Sequence, residues 1–150
     1  MTAAIAVLKQ LFKVWPTLRL ANVWRDFWAM TGDSMAVRGA SSKIKETLLS
    51  WPDVAAHPHR FGGTEYRIGK REIGHIHGDW LVDIPFPTKV RNEIIAADRA
   101  QPHHILPDSG WISFYLREPN DVERAIELFR QSYEIALKQK PRSSSSPVVE

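Results

Sequence analysis

The sequence contains no cysteine, which removes disulfides, cysteine-bound zinc, iron–sulfur clusters and thiol catalysis from consideration. A reducing compartment suits such a chain, so a cytoplasmic location is expected. Long apolar runs are missing as well. Ala3 to Leu8 is the longest near the N-terminus, far short of the ~20 residues of a membrane-spanning helix. No charged region followed by a cleavable apolar core opens the chain, so no signal peptide is expected. A glycine-rich phosphate loop, a Gly-x-Ser-x-Gly elbow and a His-Glu-x-x-His helix are all absent. P-loop NTPase, dinucleotide-binding, α/β-hydrolase and zincin chemistries fall with them. Concentrated positive charge is lacking too. Lys and Arg outnumber Asp and Glu 8 to 4 over residues 1–60, but are matched 12 to 13 over residues 61–150. That balance disfavours nucleic acid as a partner, because such domains usually show a concentrated basic face.

What remains is a globular composition, 43% hydrophobic and 25% charged over 150 residues, enough for one domain and a tail. Three segments are expected: a helical stretch at 1–50, an α+β domain at 51–140 and a disordered tail at 141–150. Ile5, Leu8, Leu11, Phe12 and Trp15 recur at helical spacing, as do Leu20, Val23, Trp24, Phe27 and Trp28. These helices can cap the domain's own core, or their Trp-rich basic face can rest on a membrane surface. Ser42 is placed to cap a short helix carrying Ile44, Leu48 and Leu49. Strands are predicted at 63–68, 71–77 and 80–84, joined by two-residue turns at Gly69–Lys70 and Gly78–Asp79. A helix over Thr88–Arg99 and a strand over Trp111–Leu116 follow. The last helix starts at Asn120, with Glu123 completing a capping box. Its apolar stripe is Val122, Ile126, Phe129, Tyr133 and Leu137. The sum is an α+β fold, an antiparallel sheet with helices packed on one face and an N-terminal helical extension.

All six histidines fall between His57 and His104. His75 and His77, two apart on a strand, leave the same face. With two-residue turns, His75 lies beside Thr64 and Val82, and His77 faces Trp80. That face is then mostly apolar, carrying Tyr66, Ile68, Ile73, Val82 and Ile84. The opposite face aligns Arg67 with Glu72, read as a solvated salt bridge, and Glu65 with Gly74 and Asp83. The glycine would leave two carboxylates around a small hollow, suited to acid–base work or to a cation. His75 and His77 with a third imidazole from His103 or His104 have donors for zinc, iron or copper. The competing reading is a pair of core histidines bonded to backbone.

The run Lys70-Arg71-Glu72-Ile73-Gly74-His75-Ile76-His77 resembles the Lys-Arg-Glu-Ile-x-His-x-His segment of the fungal luciferase domain family. The likeness continues through His103-His104, Trp111 with Phe114 and Tyr115, and Asn120-Asp121-Val122-Glu123. It spans about Val54 to Ala136, and His59 to Glu65 is similar to the His-Arg-Phe-Gly-Gly-x-Glu pattern of short bacterial members. The resemblance implies an oxygenase-like enzyme working without a cofactor on an enolic or phenolic small molecule, as the fungal enzymes oxidise a 3-hydroxypyrone. It implies catalytic roles for His75, His77 and His104, with histidine as general base. Arg60, Glu65, Arg71, Asp83, His103 and Trp111 are the expected substrate-binding residues. No metal is assigned. This chain is shorter than the fungal enzymes and lacks their hydrophobic N-terminal anchor, so light emission is not expected. The alternatives are a non-catalytic module binding a small molecule or a metal, or a YjbR-like DNA-binding domain. The last is similar through Gly110-Trp111-Ile112-Ser113 and Gln131-Ser132-Tyr133.

Overall fold

The computed structural model describes residues 36–139. The expectations for Trp15, Trp24, Trp28 and the 141–150 tail lie outside the described residues. The elements are α1 (Ala40–Leu49), β1 (Val54–Pro58), β2 (Thr64–Ile68), β3 (Arg71–His77), β4 (Leu81–Pro85), α2 (Thr88–Ala96), β5 (Gln101–Pro102), β6 (Trp111–Tyr115) and α3 (Asn120–Gln139). The six strands form one sheet in the order β1-β2-β3-β4-β6-β5, every neighbouring pair antiparallel. This is the expected α+β arrangement. No helix among the described residues is long and apolar enough to cross a membrane.

One sheet face is apolar and covered by helices. Tyr66 of β2, Ile76 of β3, Val82 and Ile84 of β4 and Ile112 of β6 are each no more than 2% exposed. Helix α3 lays Val122, Ala125, Leu128, Phe129, Tyr133 and Ala136 into this core. Burying whole aromatic and aliphatic side chains contributes about 1.5–3 kcal/mol each. The expected stripe is therefore right at three positions, Val122, Phe129 and Tyr133. Ile126 is only partly buried and Leu137 is exposed. The buried arc instead takes in Ala125 and Ala136, small residues that let the helix lie close over the strands. Ser132 donates to the Pro85 carbonyl and Tyr133 to the Pro52 carbonyl, tying the middle of α3 to the end of β4 and to the residue pair before β1. The expected capping box is not what starts α3. Asp121 accepts the Arg117 and Glu118 amides, and Glu123 pairs with Lys43.

Helix α1 also begins differently from expectation. Its N-cap is Gly39, and Ser42 sits inside the helix. The capping carboxylate comes from the β3–β4 turn: Asp79 accepts the amides of Gly39 and Ser41, both at 2.8 Å, and the Ser41 hydroxyl at 2.5 Å. A carboxylate at these amides satisfies orphan donors and meets the positive end of the helix dipole. Burial works to raise the Asp79 pKa, but these hydrogen bonds outweigh it and hold the carboxyl below its ordinary 3.8.

The register of β3 decides which residues meet. Tyr66 faces Gly74 but Arg67 faces Glu72, so Ile73 is an extra residue on β3, a β-bulge. The β3–β4 turn has three residues, not two, because His77 pairs with Leu81. His75 consequently lies between Glu65 and Asp83, not between Thr64 and Val82. Two further strands, β1 and the short β5, escaped the sequence pattern, their alternation being broken by His57, Pro58 and Pro102. Gly74 (φ 140°) sits on the helix-covered face. A Cβ there would lie 2.6 Å from Phe129 Cε1 and 2.9 Å from the Asp83 carbonyl oxygen. Its lack of a side chain makes room for Phe129, not for a ligand hollow between carboxylates.

Phe129→Ala should cost about 3–5 kcal/mol in chemical denaturation, through lost burial and the cavity under β3. Asp79→Ala should cost about 1 kcal/mol. Because folding lowers the Asp79 pKa, its contribution is complete above pH 3.8 and is lost as pH falls through the lower folded value. Wild type and variant stability should converge at the acid end of a pH series; a constant gap would show that the cap is not electrostatic.

Candidate functional site

The sheet face opposite α3 gathers the polar residues. Asp83, on central strand β4, has no exposed surface. Ser113, opposite it on β6, donates its hydroxyl to Asp83 Oδ1 at 2.5 Å. Imidazoles surround the other side. His75 Nε2 stands 3.4 Å, His77 Nε2 3.5 Å and His103 Nε2 3.8 Å from Asp83 Oδ2, while His104 Nδ1 is 3.5 Å from Oδ1. These distances exceed those of well-formed hydrogen bonds, and Oδ2 accepts none among the described residues. The carboxylate is nonetheless held well below the usual range. Burial works upward, but His104, His75, His77 and Ser113 outweigh it.

Each ring has its own fixing contact. His75 Nδ1 donates to Glu72 Oε1 at 2.6 Å, a contact the bulge makes by bringing Glu72 and His75 to one face. Burial works to lower the His75 pKa, yet the Asp83 and Glu72 carboxylates push it up to about 9. Glu72 is lowered in return: burial opposes this, and the His75 hydrogen bond prevails. His103 Nδ1 accepts the amides of Ile105 and Leu106, at 3.2 and 3.0 Å, so its proton resides on Nε2, facing Asp83. Burial keeps this ring below its ordinary pKa, against the pull of Asp83. His104 Nδ1 lies 3.0 Å from Ser113 Oγ and steadies the hydroxyl that holds Asp83. His59 stacks on His75 with ring centroids 3.8 Å apart and meets His77 edge-on at 5.5 Å. Its Nδ1 is 3.3 Å from the Gly62 carbonyl oxygen. A carbonyl only accepts, so Nδ1 carries the hydrogen and Nε2 keeps a lone pair. Burial, then the neighbouring His75 and His77, lower its pKa.

Of the residues singled out from sequence, His75, His77, His103, His104 and Asp83 meet in this cluster. Trp111 joins them at the rim, its ring centroid 5.2 Å from that of His75. Glu65 is buried on the same face and pairs with Arg67 Nε at 2.6 Å, within ligand-forming range of His59 and Glu72. The Arg67–Glu72 bridge is not formed as expected; Glu72 serves His75 instead. Arg60 lies over the Phe61 ring and Arg71 bonds Gln139, both exposed, and no contact ties either to the cluster. Sequence reasoning missed His59, Glu72 and Ser113 as members. Ser113 had a signal, a lone hydroxyl between Ile112 and Phe114 in an apolar strand.

Residues 70–132 match the Luciferase domain family model. The matched segment contains Glu72, His75, His77, Asp83, His103, His104, Trp111 and Ser113 and leaves out His59 and Glu65. Neither the curated proteins nor the solved structures contain a match to the chain.

In metal-free protein, the His75 ring should titrate near pH 9 by NMR, not near its ordinary 6.5, and Glu72→Gln should lower that midpoint. Since folding raises this pKa, the charged ring stabilises the fold fully below pH 6.5, and that contribution is lost as pH rises through about 9. A His75 midpoint unmoved by Glu72→Gln would disprove the pairing.

Proposed function

We propose that the chain is an oxygenase-like enzyme that binds an enolic or phenolic small molecule over the His75–His77 face. The observation carrying this reading is the convergence of imidazoles on one buried carboxylate within the luciferase-domain segment. His59 is the proton acceptor. Its Nδ1 is fixed on Gly62, its Nε2 is unprotonated, and it stands at the outer side of the His75 ring. Removing the enol or phenol proton gives an electron-rich anion, which dioxygen then oxidises. Asp83 keeps its neighbouring imidazoles oriented and compensates positive charge among them, much as a buried carboxylate fixes a catalytic histidine. Trp111 supplies an apolar wall beside His75 for a flat substrate.

Oxygen uptake with a panel of 3-hydroxy-2-pyrones and catechols tests the proposal. Wild-type protein should consume oxygen with at least one of them, and His59→Ala should slow turnover by about 10²–10⁴-fold. The His59→Ala protein should melt close to wild type, since His59 is only partly buried. Oxygen uptake unchanged by His59→Ala, or absent with every substrate, would overturn the reading.

A further inference from the structure

The geometry points to a binding site for a divalent first-row transition-metal ion, formed by Asp83 Oδ2, His75 Nε2 and His77 Nε2. It lies on the same sheet face as the reaction proposed above but stands on geometry alone and holds whether or not that reaction occurs. Three features of the cluster carry it.

Asp83 Oδ2 is a fully buried carboxylate oxygen that accepts no hydrogen bond among the described residues. A group in that condition costs free energy unless something satisfies it. The atoms facing it are ring nitrogens at 3.4 and 3.5 Å, too far for good hydrogen bonds. That separation is the one expected between two ligands of a single ion: donors about 2.1 Å from a tetrahedral metal lie about 3.4 Å apart. His75 and His77 also bring a ring nitrogen each within 4.8 Å of one another, so an ion bound at the orphaned oxygen lies within reach of both rings.

The outer contacts are those a metal site requires. A histidine that ligates through Nε2 needs its Nδ1–H anchored, commonly on a carboxylate. Glu72 supplies this to His75 at 2.6 Å. Ser113 holds the other oxygen of Asp83, leaving Oδ2 to face the rings. His103 is excluded as a ligand by the same logic. Its Nδ1 accepts two backbone amides, so its Nε2 carries hydrogen and has no lone pair to give. Two imidazoles and one carboxylate, with no thiolate in the chain, suit iron(II), zinc, cobalt(II) or manganese(II) and leave further coordination positions open. Such a set is also the one through which non-haem iron(II) proteins engage dioxygen.

Untagged full-length protein, stripped with a chelator and dialysed, is titrated with cobalt(II) and followed by visible absorption. One equivalent should bind with d–d bands of a nitrogen–oxygen site, and excess zinc(II) should displace it. The thermal midpoint should rise with either ion, because the ion binds the folded chain. His77→Ala and Asp83→Asn should each weaken cobalt(II) binding at least ~100-fold, while His57→Ala, exposed and outside the cluster, should leave it unchanged. Circular dichroism checks that the variants fold. Should one not fold, the wild-type cobalt spectrum and melting shift decide by themselves. Absence of cobalt(II) binding to wild type, or binding that survives both substitutions, overturns the site. Cobalt(II) binding with no oxygen uptake overturns the proposed reaction and supports the site.

Discussion

A carboxylate removed from water must be compensated, and Asp83 is the group around which this half of the molecule is arranged. It sits on the central strand of the sheet with no exposed surface, a Ser113 hydroxyl on one oxygen and imidazoles about the other. An isolated buried carboxylate is among the costliest groups a fold can contain. Here the cost is offset by groups from three regions: the partner strands β3 and β6, and the His103–His104 segment. The same arrangement that makes the ion tolerable concentrates nitrogen donors on a single face. Stability and chemistry are thus coupled at one residue.

The bulge at Ile73 is the second constraint. A one-residue change in register moves a side chain from one face of a sheet to the other. Without it, Glu72 and His75 would leave opposite faces, and the Glu72–His75 hydrogen bond would not form. With it, the strand delivers Ile73 and Ile76 to the core and Glu72, His75 and His77 to the opposite face. Gly74 permits this because its φ of 140° and its missing Cβ allow Phe129 to close against the strand. A helix residue on one face therefore supports the geometry of the site on the other.

The two faces of the sheet also explain why so much polar chemistry fits in a small domain. The helix-covered face supplies the apolar burial, from Ile44 and Leu48 of α1 through Phe129 and Tyr133 of α3. The opposite face is then free to carry charged residues, provided they compensate one another. Glu65 with Arg67, and Glu72 with His75, do so.

The sequence by itself determined the fold class, most elements, and the histidine-bearing strand. Those follow from local rules: apolar spacing of 3.6 or 2, glycine at turns, proline at ends. It also determined that His75 and His77 share a face, because two residues on a regular strand end must. Tertiary structure decided what that face contains. The bulge and the three-residue Gly78–Trp80 turn set His75 between Glu65 and Asp83, where a two-residue turn would have set it among aliphatic residues. Neither device has a distinct local signature, since Ile73-Gly74 and Gly78-Asp79 also suit a regular strand and a tight hairpin. The same holds for the cap of α1, supplied by Asp79 from 38 residues away, and for His59, which reaches His75 only when β1 pairs with β2. Such contacts depend on which strands pair and in what register, and pairing energy is summed over the whole sheet and core.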